Sequence, residues 1–226
     1  MKLKSFGCSF IFGSELADDG SGEDYARFSR LTWPALLAKD LGYTYYCYAR
    51  PGSGNLRIME RVLSHTTHDQ ESLYVIGWTW MDRFDYITDP DPFNPCEPIP
   101  WKTIMPVDGD KLADTYYKHL HTETRDKLST LMCIKLAIDT LKQKGCQFIM
   151  TSMEDWIFSD HVHPMPAITD LQRYVKPYLN RFEGDSFLNW SRKKGYPVSD
   201  MWHPLEPAHQ AASELVVQDL NSWIRK

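Results

Sequence analysis

Cysteine is scarce in this chain: five residues, an odd number at irregular spacings. That pattern argues for reduced thiols and against a disulfide framework. No apolar run approaches the length of a membrane span, and Met1-Lys2-Leu3-Lys4 lacks the apolar core of a secretory leader. Positive charge is thin as well. The formal net charge is -5, and the densest basic cluster, Arg192-Lys193-Lys194, reads as a solvated face, so affinity for nucleic acid is not expected. Neither glycine-rich nucleotide pattern occurs: Gly52-Ser53-Gly54-Asn55 follows a strand and precedes a helix but matches no phosphate-cradling form. Internal repeats and low-complexity tracts are also missing. These absences lead to the expectation of a soluble, cytoplasmic, globular chain that binds neither membrane nor nucleic acid.

What is present is ordinary globular material. Apolar residues make up 42% and charged residues 24% of 226 positions, enough for one well-buried domain over 1–226. Strand patterns fall at Lys2 to Phe6, Tyr43 to Tyr48, Ser72 to Ile76 and Cys146 to Met150. Helical patterns fall at Phe28 to Leu41, Asn55 to Leu63, Leu128 to Leu141 and from Glu206 to the C-terminus. Alternation of this kind predicts a mainly parallel sheet with helices on both faces, and ligands at the carboxyl ends of its strands. That edge would carry Gly7 to Ser9, Gly52 to Asn55, Gly77 to Arg83 and Thr151 to Asp155. Residues 84 to 125, rich in Pro, Asp and aromatics, break the rhythm and predict a lid-like insertion at the same edge.

Two stretches carry the chemistry. Ser9, in Gly7-Cys8-Ser9 after the first strand, would present its hydroxyl at that edge, near the start of the following helix. A serine nucleophile needs a base, and the base needs a carboxylate to orient it. "VSDMWHPLEPAH" supplies Asp200 and His203 three residues apart, just before the last helix.

The ordered blocks Gly7-Cys8-Ser9...Gly13, Gly52, Gly77 and Asp200-Met201-Trp202-His203-Pro204 resemble those of SGNH (GDSL-type) hydrolases across nearly the whole chain, the insertion apart. The opening Gly-Cys-Ser-Phe and the later Pro-Gly-Ser-x-Asn also resemble bacteriophage-encoded members, for which the compartment would be a host cytoplasm. The resemblance implies a three-layer α/β/α sandwich with a flavodoxin-like sheet. It implies Ser9 as nucleophile, His203 as general base and acid, and Asp200 as its orienter. It places the oxyanion hole at the Ser9 and Gly52 N–H groups, with Gly54 as second choice for the glycine and Thr79 standing where the family carries asparagine. The expected activity is hydrolysis of a small-molecule or glycan ester, first an O-acylated carbohydrate, without metal or organic cofactor.

Two departures bear on this. Cys8 replaces the family's aspartate, so a cysteine nucleophile competes with burial of a small apolar residue. Thr79 offers a shorter donor than asparagine, which motivates a second reading, a catalytically silent module binding a glycan or a protein. The Trp80 indole or Arg83 would have to compensate. Trp78, Trp80, Arg83 and Trp101 are candidates for a substrate wall, with core packing as the alternative for each tryptophan. Asn55 is expected to cap a helix, His209 to pack or cap inside the last helix, and His161-Val162-His163 to be a polar loop and not a metal site.

Overall fold

The structure is a computed structural model and describes residues 1–20, 27–66, 71–89, 99–159 and 165–226; the His161-Val162-His163 stretch lies outside them. In chain order the elements are β1 (Lys2–Phe6), α1 (Ser9–Phe12), α2 (Trp33–Asp40), β2 (Thr44–Cys47), α3 (Asn55–His65), β3 (Ser72–Trp78), β4 (Phe84–Ile87), β5 (Trp101–Ile104), α4 (Lys111–His119), α5 (Glu123–Gln143), β6 (Gln147–Ser152), α6 (Pro166–Val175), β7 (Leu179–Asn180), α7 (Phe187–Lys193), α8 (Glu206–Gln218) and α9 (Leu220–Trp223).

Five strands form one parallel sheet in the order β2-β1-β3-β6-β7, the flavodoxin-like arrangement. The period-two alternation of side chains sorts the core into two halves. Leu3, Leu73, Val75 and Ile149 face one way, against Trp33 and Leu37 of α2, Trp190 of α7 and Val216 of α8. Phe6, Tyr74, Ile76 and Met150 face the other way, against Ile58 of α3, Ile134 and Ile138 of α5, and Ile168 of α6. β3 is buried along its full length, as a central strand covered on both faces must be. Three layers result, as expected. Among the described residues, no helix is long and apolar enough to cross a membrane.

Several boundaries differ from the sequence pattern for local reasons. α2 begins at Trp33 and not Phe28, because Pro34 sits in its first turn and the residues before it are extended or irregular. α5 begins at Glu123, earlier than its apolar stripe, because Thr122 caps it by accepting from Arg125 N–H. The 84-to-125 insertion is a hairpin, β4 against β5, followed by α4. It carries its own small core of Ile104, Ala113 and Tyr116, edged by Phe84, Tyr86 and Tyr117.

The insertion is fastened to the main fold through one buried carboxylate. Asp85 of β4 accepts from Gly54 N–H at 2.9 Å, Arg57 N–H at 2.8 Å and the Thr103 hydroxyl at 2.6 Å. Two of these donors are the otherwise orphaned amides at the start of α3, so the helix is capped from a distant strand. Asn55, expected as the cap, is the first residue of α3 and has another task. Its amide accepts from Thr79 N–H at 2.9 Å and donates to Thr79 O at 3.1 Å, tying the β2–α3 turn to the segment after β3.

Removing the Asp85 carboxylate strands buried donors, so Asp85→Ala should cost about 1–3 kcal/mol of stability. Denaturant unfolding at neutral pH checks this; a loss within about 0.5 kcal/mol, the usual surface value, would refute the capping role.

Candidate active site

The order of the strands reverses at β1 and β3, and the crevice at their carboxyl ends is where ligands bind in such sheets. There the chain makes a tight turn into a four-residue helix, α1. Gly7 and Gly77 are both shaped by Ile11: a Cβ on either would come within 2.5 Å and 2.7 Å of Ile11 Cγ1. The two glycines let α1 settle directly onto the strand ends.

Cys8 is fully buried, with Sγ 3.1 Å from Met153 Sδ. A sulfur so enclosed packs as a small apolar group and has no route to a substrate. Ser9, the first residue of α1, points its hydroxyl elsewhere: Oγ lies 2.8 Å from His203 Nε2. The two ends of the chain therefore meet as the sequence suggested.

The carboxylate beside His203 is not the expected one. Nδ1 of His203 pairs with Oε2 of Glu15, six residues after the serine. Gly13, left-handed at φ 86, ends α1, and the N–H groups of Gly13 and Ser14 both return to Ser9 O at 2.7 and 3.1 Å. Glu15 is itself left-handed at φ 66, and its N–H donates to Asp19 Oδ2 at 2.5 Å. That tight reversal aims the Glu15 side chain back at the imidazole.

Asp200 is exposed and does not touch His203. The 198–204 turn explains why. A bridge between Val198 and Pro204 closes it, and Ser199 N–H donates to His203 O at 2.9 Å. This geometry turns Ser199, not Asp200, toward the histidine. The Ser199 hydroxyl accepts from His203 N–H at 3.1 Å and donates to Glu15 Oε2 at 2.6 Å.

Electrostatics fit the pairing. Burial favours the neutral Glu15 carboxyl, but the donors Ser199 and His203 outweigh it and hold the group below the usual carboxylate range. An ionised Glu15 keeps the proton on Nδ1 and leaves Nε2 as acceptor for the serine hydroxyl. Phe10 packs edge-on to the imidazole, ring centres 5.2 Å apart.

The expected oxyanion donors separate into available and committed groups. The N–H groups of Ser9, at the first position of α1, and of Gly52, left-handed at φ 74, hydrogen-bond to no described residue. Gly54 is committed to Asp85, and a Cβ there would sit 2.6 Å from its carboxylate. Thr79 is committed too: its N–H goes to Asn55, and its hydroxyl is sealed from solvent. No ligand oxygen reaches it in this arrangement. Trp78 and Trp101 are buried, in the main core and in the insertion. Trp80 is half-buried, edge-on to Phe10 at 5.5 Å, with the Arg83 guanidinium 4.8 Å above its ring. Of the proposed wall, Trp80 and Arg83 are the residues at the surface. His209 is buried and accepts Trp33 N–H at 3.0 Å, so it packs and caps α2 as expected.

No family model matches this chain, and no curated protein matches it. Solved structures do. A psychrotrophic esterase from Pseudoalteromonas sp. superposes at TM-score 0.52 with 9% identity, covering 98% of this chain and 97% of that one. A carbohydrate esterase whose active site "displays divergent catalytic and non-catalytic binding functions" superposes at 0.53 with 16% identity, over 97% of this chain and 68% of that one. A family 2 carbohydrate esterase with a carbohydrate-binding domain, from Corynascus thermopiles (Myceliophthora fergusii), superposes at 0.50 with 15% identity, over 98% and 65%. The class this defines is an α/β fold shared with ester hydrolases. More particularly, it is the fold of the SGNH (GDSL-type) hydrolases.

One group at the same sheet edge was not singled out by sequence. Glu154, just past β6, is buried, and desolvation pushes its carboxyl up to about 8 despite the Trp156 N–H it accepts. The folded state therefore holds a proton that the unfolded chain releases near 4.5. This contribution is full below that pH, declines as pH rises and is gone above about 8. Melting temperature should fall less between pH 5 and 8 in Glu154→Gln than in the wild type; parallel curves would contradict it.

Proposed function

We propose that this protein is a serine ester hydrolase working through Ser9, His203 and Glu15. The observation that carries the reading is the continuous contact from Ser9 Oγ through the His203 ring to the Glu15 carboxylate. The fold shared with esterases supports it.

In this reading His203 Nε2 takes the Ser9 proton as Oγ attacks the ester carbonyl, and Glu15 stabilises the imidazolium. The Ser9 and Gly52 N–H groups receive the oxyanion. Collapse of the tetrahedral adduct expels the alcohol, which takes the proton from His203. Water, deprotonated by the same imidazole, then releases the acid and restores the serine. The scheme uses no metal or organic cofactor. The substrate class we favour is an O-acylated carbohydrate, with Trp80 and Arg83 as the wall. The described cysteines, Cys8, Cys47, Cys133 and Cys146, are free thiols, which favours a reducing compartment such as the cytoplasm.

The sealed Thr79 hydroxyl favours one other reading, a binding module that no longer turns over esters. A fluorophosphonate probe separates the two: labelling at Ser9 supports the hydrolase, and an unlabelled, folded protein supports the module.

Kinetics on short 4-nitrophenyl esters test the acid. Ser9→Ala should abolish hydrolysis. Glu15→Gln should lower kcat by about 10²–10⁴-fold, as loss of the orienting carboxylate does in other triads. Asp200→Asn should stay within about twofold, the range of surface substitutions. The reverse order for Glu15 and Asp200 would refute the assignment.

A further inference from the structure

A cavity of about 690 Å³ borders this site on the β2 side, lined in part by Phe12, Asp18, Arg27, Phe28, Arg30 and Arg50. Among the described residues, the guanidinium groups of Arg30 and Arg50 share that wall with one carboxylate, Asp18, in a chain whose overall charge is -5. The carboxylate is occupied with uncharged donors: Asp18 accepts from the Ser29 hydroxyl and from the backbone N–H of Arg30 at 2.7 Å. Among the described residues, Arg30 pairs with no carboxylate. Its guanidinium rests over the rings of Phe28 and Tyr45, 4.9 and 5.7 Å from their centres. Arg50 also lacks an acidic partner among the described residues, and spends only one Nη1 bond, on Ala49 O at 2.9 Å. A planar guanidinium held this way keeps several N–H donors for a ligand.

The position ties the cavity to the catalytic groups. Phe12 ends the helix that Ser9 begins. The Arg50 N–H donates to Gly7 O at 3.1 Å, which sets its main chain against the turn before the nucleophile. Pro51, also on the cavity wall, precedes the Gly52 amide. A ligand in the cavity thus lies alongside the segment carrying Ser9 and the one carrying Gly52.

We propose that this cavity is an anion subsite, and that the substrate is an ester bearing a carboxylate or phosphate group which Arg30 and Arg50 receive. The substrate assignment rests on the hydrolase reading; the anion site itself does not. Arginines without an acidic partner among the described residues are suited to such groups, because the planar fork matches their oxygens, and for Arg30 the stack on Phe28 and Tyr45 limits the freedom lost on binding. Their field also extends toward the developing oxyanion, a second reason for them to lie beside the nucleophile.

The test separates the two layers. Binding of inorganic phosphate and of glucuronate to the full chain is measured by calorimetry on Ser9→Ala, on Ser9→Ala with Arg30→Gln and Arg50→Gln, and on Ser9→Ala with the distant Arg173→Gln. One or both anions should bind, weaken about 10-fold or more in the Arg30/Arg50 variant, weaken with added salt, and be indifferent to Arg173. Phosphate alone binding marks a phosphorylated substrate, and glucuronate alone marks an acidic sugar. Binding of neither anion, or equal loss in the Arg173 variant, overturns the subsite. In the otherwise wild-type enzyme, the kcat/KM ratio for acetylated glucuronate over acetylated glucose should fall about 10-fold in the Arg30/Arg50 variant, chiefly through KM. An unchanged ratio, with phosphate binding likewise unaffected, overturns it as well. If calorimetry succeeds while no ester is hydrolysed, the subsite stands and the hydrolase reading fails.

Discussion

The imidazole of His203 is gripped from both sides by one short N-terminal segment: the Ser9 hydroxyl on Nε2 and the Glu15 carboxylate on Nδ1. This grip depends on the last helix docking against the first long one. Just after His203, α8 packs on α2, and the bond from Trp33 N–H to His209 Nδ1 sets the contact at a helix start. Burial and the neighbouring His203 push the His209 pKa down to about 3, so the ring stays neutral and remains an acceptor over the physiological range. A core interaction thereby fixes where the His203 imidazole stands.

The other side of the crevice is positioned by polar clamps as well as by the apolar packing of α3. Asp85 holds the first turn of α3, while Asn55 holds the segment after β3. Between them they fix the Gly52 turn relative to Trp80. Burial raises the Asp85 carboxyl above its ordinary range even with its three donors, so this clamp gives up solvation of the charge. The insertion is thus a structural brace for the β2–α3 turn, whatever else it covers.

Much of the architecture was legible because the relevant signals are local. The four long strands and the amphipathic α5 follow from apolar runs and a 3.6 period, and the parallel sheet follows from their alternation. Elements with weak periodicity escaped: two-residue β7, seven-residue α7, and the hairpin hidden in a Pro- and Asp-rich stretch. The meeting of Ser9 with His203 was readable from block order. Glu15 was not, because its place depends on two left-handed residues, Gly13 and Glu15 itself, on either side of Ser14, and a glutamate gives no signal for φ 66. Asp200 misled for the complementary reason: spacing of three suggested reach, while the backbone bonds of the 198–204 turn gave the inward position to Ser199. Thr79 directly follows β3 but is sealed by Asn55 and its surroundings, a long-range fact that no window of sequence contains.

The place of the Glu15 carboxylate has a geometric corollary. An orienting acid has only to reach one nitrogen of a ring, and that ring can be approached from either bank of the crevice. With Glu15 on the same bank as Ser9, the exposed Asp200 carboxylate makes no contact with the ring, although it stands three residues ahead of the histidine. A search keyed to an aspartate three residues before a histidine would find this chain yet point to a carboxylate that does not touch the imidazole.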